Sequence, residues 1–215
     1  MSMEEEPGKV MEFLLKVLVV GDQGVGKTSL VQRYVNGIFA REYKATVGVD
    51  FAYRLIQVSP DTIVRLQLWD IAGQEKYGQL TRVYYKEAFG AIIVYDVSRP
   101  STLDNVVEWK KDIDSKVRLP DPYESPIPVI LLANKCDLVK KKPDATKMDK
   151  FCRDNTIVKW FETSAQDNIN VEEAIHFLVR LILETEWQSD TSSSETDGRV
   201  VQITENDTPP SNCSC

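Results

Sequence analysis

The sequence predicts an α/β fold: a six-stranded, mostly parallel sheet with one antiparallel strand and helices on both faces. Three observations predict it. Strand-like apolar runs alternate with helical patterns along the chain, as in α/β sheets. Several of those runs are continuously apolar, as strands buried on both faces are. Residues 21–28 read GDQGVGKT, a match to G-x-x-x-x-G-K-[ST] placed between a strand and a helix.

The elements follow in order. Residues 12–20 form an apolar run that stops at Gly21; interrupted by Lys16, it falls far short of the ~20 residues of a spanning helix. A helix follows from about Lys27 to Val35. Segments 47–58 and 62–70, joined by Ser59-Pro60-Asp61, read as a hairpin and supply the antiparallel strand. Further strands are predicted at 91–97, 129–133 and 157–161, and helices at 76–88, 101–117, 146–155 and 171–187. The last helix carries Val171, Ala174, Ile175, Leu178, Val179 and Ile182 at i, i+3, i+4 spacing. His176, the single histidine, falls off that stripe and is expected in solvent. Residues 119–128 read as a Pro-rich surface loop.

Charge and composition bound the rest. The net charge is −7, and residues 184–215 hold seven acidic residues against Arg199 alone, so the body is close to neutral. No basic stripe offers itself to nucleic acid, and none is expected as a partner. Residues 1–9 lack the design of a signal peptide and read as a flexible terminus. The folded domain is placed at 10–187. Residues 188–215, rich in Ser, Thr, Asp and Glu, are too poor in core formers to offset their ordering entropy and read as a disordered tail. Four cysteines show no disulfide framework or paired metal-ligand spacing, which fits a reducing compartment. Cys136 and Cys152 are expected to pack inside.

Four motifs carry the chemistry, and each falls after a strand, where ligands sit in such sheets. In the glycine-bearing loop, the backbone of Gln23, Gly24, Val25 and Gly26 can wrap phosphates at the start of a helix. Lys27 reaches the outer phosphates, and the hydroxyl of Thr28 can ligate magnesium, with Ser29 next to it. Asn134-Lys135-Cys136-Asp137 reads the base: a carboxylate at Asp137 accepts from both N1–H and the amino group of guanine, neither of which adenine offers. Such a site discriminates by ~10⁴ or more. Ser164-Ala165-Gln166 would complete the base pocket through backbone N–H groups. Asp70 is placed to hold magnesium through water, the N–H of Gly73 to approach a γ-phosphate, and Gln74 to orient an attacking water. Thr46 is a second hydroxyl candidate for magnesium, arriving from a loop in the manner of a switch.

Taken together, GDQGVGKT, Thr46, WDIAGQE (69–75), NKCD and SAQ resemble the small GTPase superfamily in order and spacing, across about residues 10–186. VGVDF (47–51) and YYKEAFG (84–90) narrow the resemblance to the Rab family. It implies a P-loop GTPase fold of the Ras type, GTP or GDP with Mg²⁺ as cofactors, and slow hydrolysis with Lys27 and Gln74 as catalytic residues. It places Phe39 in a stack on the guanine and Phe51, Trp69 and Tyr84 on the effector surface. It implies prenylation at Cys213 and Cys215, which end the chain as Cys-x-Cys. The partners implied are an exchange factor, a GTPase-activating protein, a GDP-dissociation inhibitor, an escort protein with geranylgeranyl transferase, and effectors. The protein is expected to be monomeric, held by two prenyl groups on the cytoplasmic face of intracellular membranes, with a cytosolic inhibitor-bound pool.

Three positions depart from the family pattern. Gln23 stands where many relatives have Ser or Gly, and its length predicts slow intrinsic turnover. Ile71 replaces the usual Thr and resembles the branch linked to lysosome-related organelles and phagosomes. Gln166 replaces the common Lys, which removes packing over the base but not the backbone contact. The acidic tail is repelled by an anionic leaflet, so lipid must anchor alone, and stable anchoring takes two chains. Two other readings remain: a metabolic P-loop kinase, against which NKCD and SAQ argue, and a non-cycling GTP-holding scaffold, against which Thr46 and Gln74 argue.

Overall fold

In a computed structural model of the 215-residue chain, the structure describes residues 10–40, 42, 44–74, 81–119, 124–190 and 200–202. Strand β1 (Met11–Val20) lies at the centre of the sheet. It pairs in parallel with β3 (Thr62–Ile71) on one side and β4 (Gly90–Asp96) on the other. The order is β2-β3-β1-β4-β5-β6, with β2 (Val49–Ser59), β5 (Val129–Asn134) and β6 (Lys159–Glu162). Only β2 of these six runs antiparallel, paired with β3 through a hairpin with an irregularity at Gln57 and Ser59.

Every residue of β4 and β5 is buried. That explains their unbroken apolar runs: both faces are covered. On one face, Leu30, Val31 and Tyr34 of α1 (Lys27–Asn36) join Val171, Ala174, Ile175 and Leu178 of α6 (Val171–Asp190) over Val17, Val19 and Leu66. On the other, Val106, Trp109 and Ile113 of α4 (Val106–Lys116) join Met148 and Cys152 of α5 (Ala145–Asp154) over Leu18, Ile93 and Leu131. Fully burying one such side chain contributes ~1.5–3 kcal/mol. Because β1 is flanked by β3 and β4, the strand order reverses there and a crevice opens at its carboxyl end.

Two expectations change, and a third falls partly outside the described residues. The helix expected over 101–117 is divided into α3 (Ser101–Asp104) and α4. Its opening bonds, Thr102 N–H to Arg99 and Leu103 N–H to Pro100, span three residues rather than four, and that tighter winding gives way at Asn105. Of the helix expected over 76–88, the described part is α2 (Thr81–Tyr85), residues 75–80 lying outside the described residues. Within the tail read as disordered, Val200–Gln202 forms β7, antiparallel to Met11–Phe13 of β1. The physical reason lies in β1: its neighbour β4 joins only at Val17–Val20, which leaves the backbone edge at 11–13 open. Two adjacent valines, β-branched and strand-favouring, supply the partner. Among the described residues, no helix is long and apolar enough to cross a membrane.

Candidate nucleotide site

β1 delivers the chain to Gly21, and the loop turns into α1 through Gly26, whose φ of 97° is left-handed. A Cβ there would also lie 2.5 Å from Asn134 Nδ2, so glycine is required twice over. Lys27 is buried, its Nζ donating to the carbonyls of Gly21 (2.9 Å) and Asp22 (3.0 Å). Burial pushes its ammonium below the ordinary lysine value, while the carboxylates of Asp70 and Asp22 oppose that shift. Around this loop lies a cavity of about 460 Å³. Gln23, Gly24, Gly26, Lys27, Thr28 and Ser29 line it from the loop and α1, and Phe39 and Thr46 from the segment after α1. Gly73 and Gln74 enter after β3, Asn134, Lys135 and Asp137 after β5, and Ala165 and Gln166 after β6. Val25, by contrast, turns its side chain fully into the core and offers the site only backbone.

One corner of the cavity gathers oxygen. Thr28 Oγ1 and Thr46 Oγ1 lie 2.8 Å apart; Thr28 donates to Asp70 Oδ2, and Thr46 Oγ1 is 3.4 Å from the same atom. Asp70 is buried, and that burial raises its carboxyl pKa despite the hydrogen bond from Thr28 and the charge of Lys27. Its Oδ1 is buried with no hydrogen-bond partner. An orphaned carboxylate oxygen beside two hydroxyls is a donor set suited to a hard cation such as magnesium. Gly73 meets the loop from the far side, where a Cβ would lie 2.3 Å from the backbone nitrogen of Gln23.

The base end is organised differently from the sequence expectation. Asp137, in the 3-10 turn Cys136–Leu138, accepts at Oδ1 from the hydroxyl of Ser164 at 2.6 Å. The N–H of Ser164 is committed to Ile169 O (3.2 Å), in an isolated bridge that closes the base of the 164–169 loop. Ser164 therefore orients the carboxylate and contributes no N–H to the pocket, because a bridge holds that donor. Asn134 and Lys135 brace the phosphate loop: Asn134 Nδ2 donates to Val25 O (2.9 Å) and Lys135 Nζ to Gly24 O (2.7 Å). Lys135 also pairs with buried Asp96 at 2.8 Å. Burial alone would raise the Asp96 carboxyl, but hydrogen bonds from Lys135, Ser98 and Arg99 outweigh it and hold the pKa low.

Comparison with known proteins decides what such a cavity belongs to. The model of the Ras family matches residues 16–184. The chain is 57% identical to "Ras-related protein Rab-32" of Homo sapiens over 173 residues, 80% of this chain and 76% of that one. It is 58% identical over 177 residues to "Ras-related protein Rab-32A" of Dictyostelium discoideum, covering 81% and 80%. With "Ras-related protein Rab-7L1" of Homo sapiens it shares 45% over 192 residues, covering 89% and 93%. The chain belongs to the Ras family. Within that family it is a Rab GTPase of the Rab-32 branch, binding guanine nucleotide and hydrolysing GTP.

On this Ras-family frame, Phe51 and Trp69 stack across β2 and β3 with ring centroids 5.9 Å apart. Phe51 is 70% exposed; Trp69 and Tyr84 are half-buried and lean on the core beneath α4. Lys16 Nζ sits 3.7 Å from the Trp69 ring centre. His176 departs from its expected place in solvent: it is half-buried, with Nε2 3.2 Å from the Tyr34 hydroxyl, because α6 packs along α1. Cys152 is buried as expected and Cys136 only half so. Glu75 of the WDIAGQE motif, Cys213 and Cys215 lie outside the described residues.

Sequence reasoning missed three supports. Arg33 of α1 reaches the 164–166 loop. Arg99 donates to Gln23 O at 3.0 Å while paired with Asp96. Asp22 accepts from Asn105 Nδ2 (2.6 Å) and from the indole N–H of buried Trp109 (2.9 Å), tying the phosphate loop to α4. Only the long sequence separations hid them. Asp22→Ala removes the shared acceptor of that indole N–H and of Asn105 Nδ2, and is expected to cost about 2–3 kcal/mol of unfolding free energy in a urea titration. Wild-type stability would show that the tie contributes nothing.

Proposed function

We propose that this Rab GTPase is a membrane-anchored switch that recruits effectors when bound to GTP and regulates trafficking of lysosome-related organelles or phagosomes. The observation that carries the reading is the meeting of Thr46 with Thr28 and Asp70. Thr46 comes from the irregular segment between α1 and β2, whereas its partners sit on α1 and β3. A loop hydroxyl that closes on two rigid ligands can be held or released according to what occupies the cavity.

In this reading, Lys27 and the N–H groups of residues 24–28 bind the phosphates and stabilise charge that develops as the γ-phosphate departs. Thr28, Thr46 and Asp70 would hold magnesium, which supplies neutralising charge at the phosphates when bound. Gly73 packs against the loop and its N–H would meet the γ-phosphate, and Gln74, exposed at the cavity wall, orients water. Asp137 reads guanine, Phe39 stacks on it, and Ala165 and Gln166 supply N–H donors. Arg99 is committed to Asp96 and the outer surface of the loop, so an arginine for fast turnover comes from a GTPase-activating protein. An exchange factor, a GDP-dissociation inhibitor, and an escort protein with geranylgeranyl transferase acting on Cys213 and Cys215 complete the cycle. Phe51, Trp69 and Tyr84 form the effector surface.

Single-turnover hydrolysis of preloaded GTP tests this on the full chain. Slow turnover, reduced about 10-fold or more in Gln74→Leu, is the expected outcome for a water-positioning residue. No turnover in either protein would favour the non-cycling scaffold, with Gln23 at the cavity wall as its cause.

A further inference from the structure

Arg33 lies nearly two turns along α1 from its phosphate-binding end and does not itself line the cavity. All three arms of its guanidinium are nevertheless used on backbone carbonyls. Nε donates to Ala165 O at 2.7 Å, Nη2 to Gln166 O at 2.9 Å, and Nη1 to Gly37 O at 2.8 Å. Gly37 returns the bond, its N–H donating to Arg33 O at 3.0 Å. The guanidinium carbon is also 6.0 Å from the ring centre of Phe39, at the outer reach of a cation–π contact. One side chain thus touches both walls of the base end: the loop after β6 and the aromatic residue after α1.

The consequence for the loop follows from peptide geometry. In a trans peptide the N–H points opposite to the preceding carbonyl. Drawing the Ala165 carbonyl toward Arg33 therefore turns the N–H of Gln166 away from the guanidinium. Drawing the Gln166 carbonyl the same way turns the N–H of Asp167 onto the Ser164 hydroxyl, which it meets at 3.0 Å. That hydroxyl in turn holds Asp137. The planar guanidinium presents fixed, separate N–H donors to these two carbonyls and to Gly37, whereas an ammonium would offer its donors from one point.

We infer that Arg33 is a positioning residue for guanine recognition, setting the orientation of the 164–167 peptides, the Asp137 carboxylate and Phe39 without touching the nucleotide. This rests on the guanine-nucleotide reading of the cavity. Because its grip lies at the base end, Arg33 governs how long a nucleotide stays rather than how fast the γ-phosphate is cleaved.

The test uses the full-length protein with Mg²⁺ and fluorescent GDP, comparing wild type, Arg33→Met and Arg33→Lys. Arg33→Met is expected to speed GDP release by about 10-fold or more. Single-turnover hydrolysis of bound GTP should keep its wild-type rate constant. Arg33→Lys, which keeps the charge but not the fixed fork, should fall between the two. The preference for GDP over IDP, which lacks the amino group that Asp137 recognises, should shrink in Arg33→Met. Wild-type release in Arg33→Met overturns the inference. So does a faster release matched by an equal loss in hydrolysis and a lowered melting temperature, which marks a structural role alone. A wild-type protein that holds no guanine nucleotide would instead overturn the reading of the cavity.

Discussion

Asp137→Asn is expected to lower affinity for GDP and GTP by about 10³-fold or more. The magnitude follows from what stands opposite the base. An aspartate carboxylate is an acceptor at both oxygens, and guanine presents two donors, N1–H and the amino group. An amide keeps one acceptor and turns the other position into a donor facing a donor. It also changes the end of the chain Asp167 N–H to Ser164 Oγ to Asp137 Oδ1, where the Ser164 hydroxyl now meets a less basic partner. Xanthine carries a carbonyl where guanine carries its amino group, so the same variant should gain affinity for xanthosine nucleotides. Competition between GDP and XDP measures both changes at once. Retained GDP affinity would remove Asp137 from base recognition.

Lys27→Met should be nearly as damaging. Methionine matches the buried stem of lysine but leaves the carbonyls of Gly21 and Asp22 without their donor and removes a buried cation from the cavity lining. The loss expected is about 10²–10³-fold in hydrolysis of bound GTP, the scale of removing one preorganised donor from developing charge. Nucleotide affinity should fall with it. The position already works against burial, which depresses the ammonium pKa, so the positive charge is held there by Asp70 and Asp22 rather than by solvent. Rapid-quench hydrolysis together with a thermal melt of the nucleotide-free protein separates lost chemistry from lost fold. Hydrolysis at the wild-type rate would exclude Lys27 from catalysis.

What the sequence made legible were the features set by neighbours along the chain. Gly21 to Thr28, Asn134 to Asp137 and Asp70 to Gln74 fall where strands end, so spacing alone located three walls of the cavity. The parallel sheet was readable because β4 and β5 run apolar up to their last residues, Asp96 and Asn134, as burial on both faces demands. Less legible were contacts made across long separations. The hold of Arg33 on Ala165 spans 132 residues, and that of Trp109 on Asp22 spans 87. Nothing in a local pattern marks either side chain. Ser164 was expected to offer its N–H to the pocket, and an N–H taken by the Ile169 bridge is invisible to motif spacing. The break at Asn105 and the pairing of Val200–Gln202 escaped for related reasons: one depends on hydrogen-bond span, the other on an edge left free by a distant strand.

The short seventh strand also decides how far a lipid anchor at Cys213 could stand from the domain. From the end of α6 at Asp190, 23 residues lead to Cys213, an extended reach of about 80 Å. With Gln202 seated opposite Met11, only 11 remain, a reach of about 40 Å. Because β7 runs counter to β1, the chain departs toward the end of the sheet remote from the nucleotide cavity. Were Cys213 to carry a lipid, these three paired residues would halve its reach and set its departure from the end of the sheet opposite the phosphate loop.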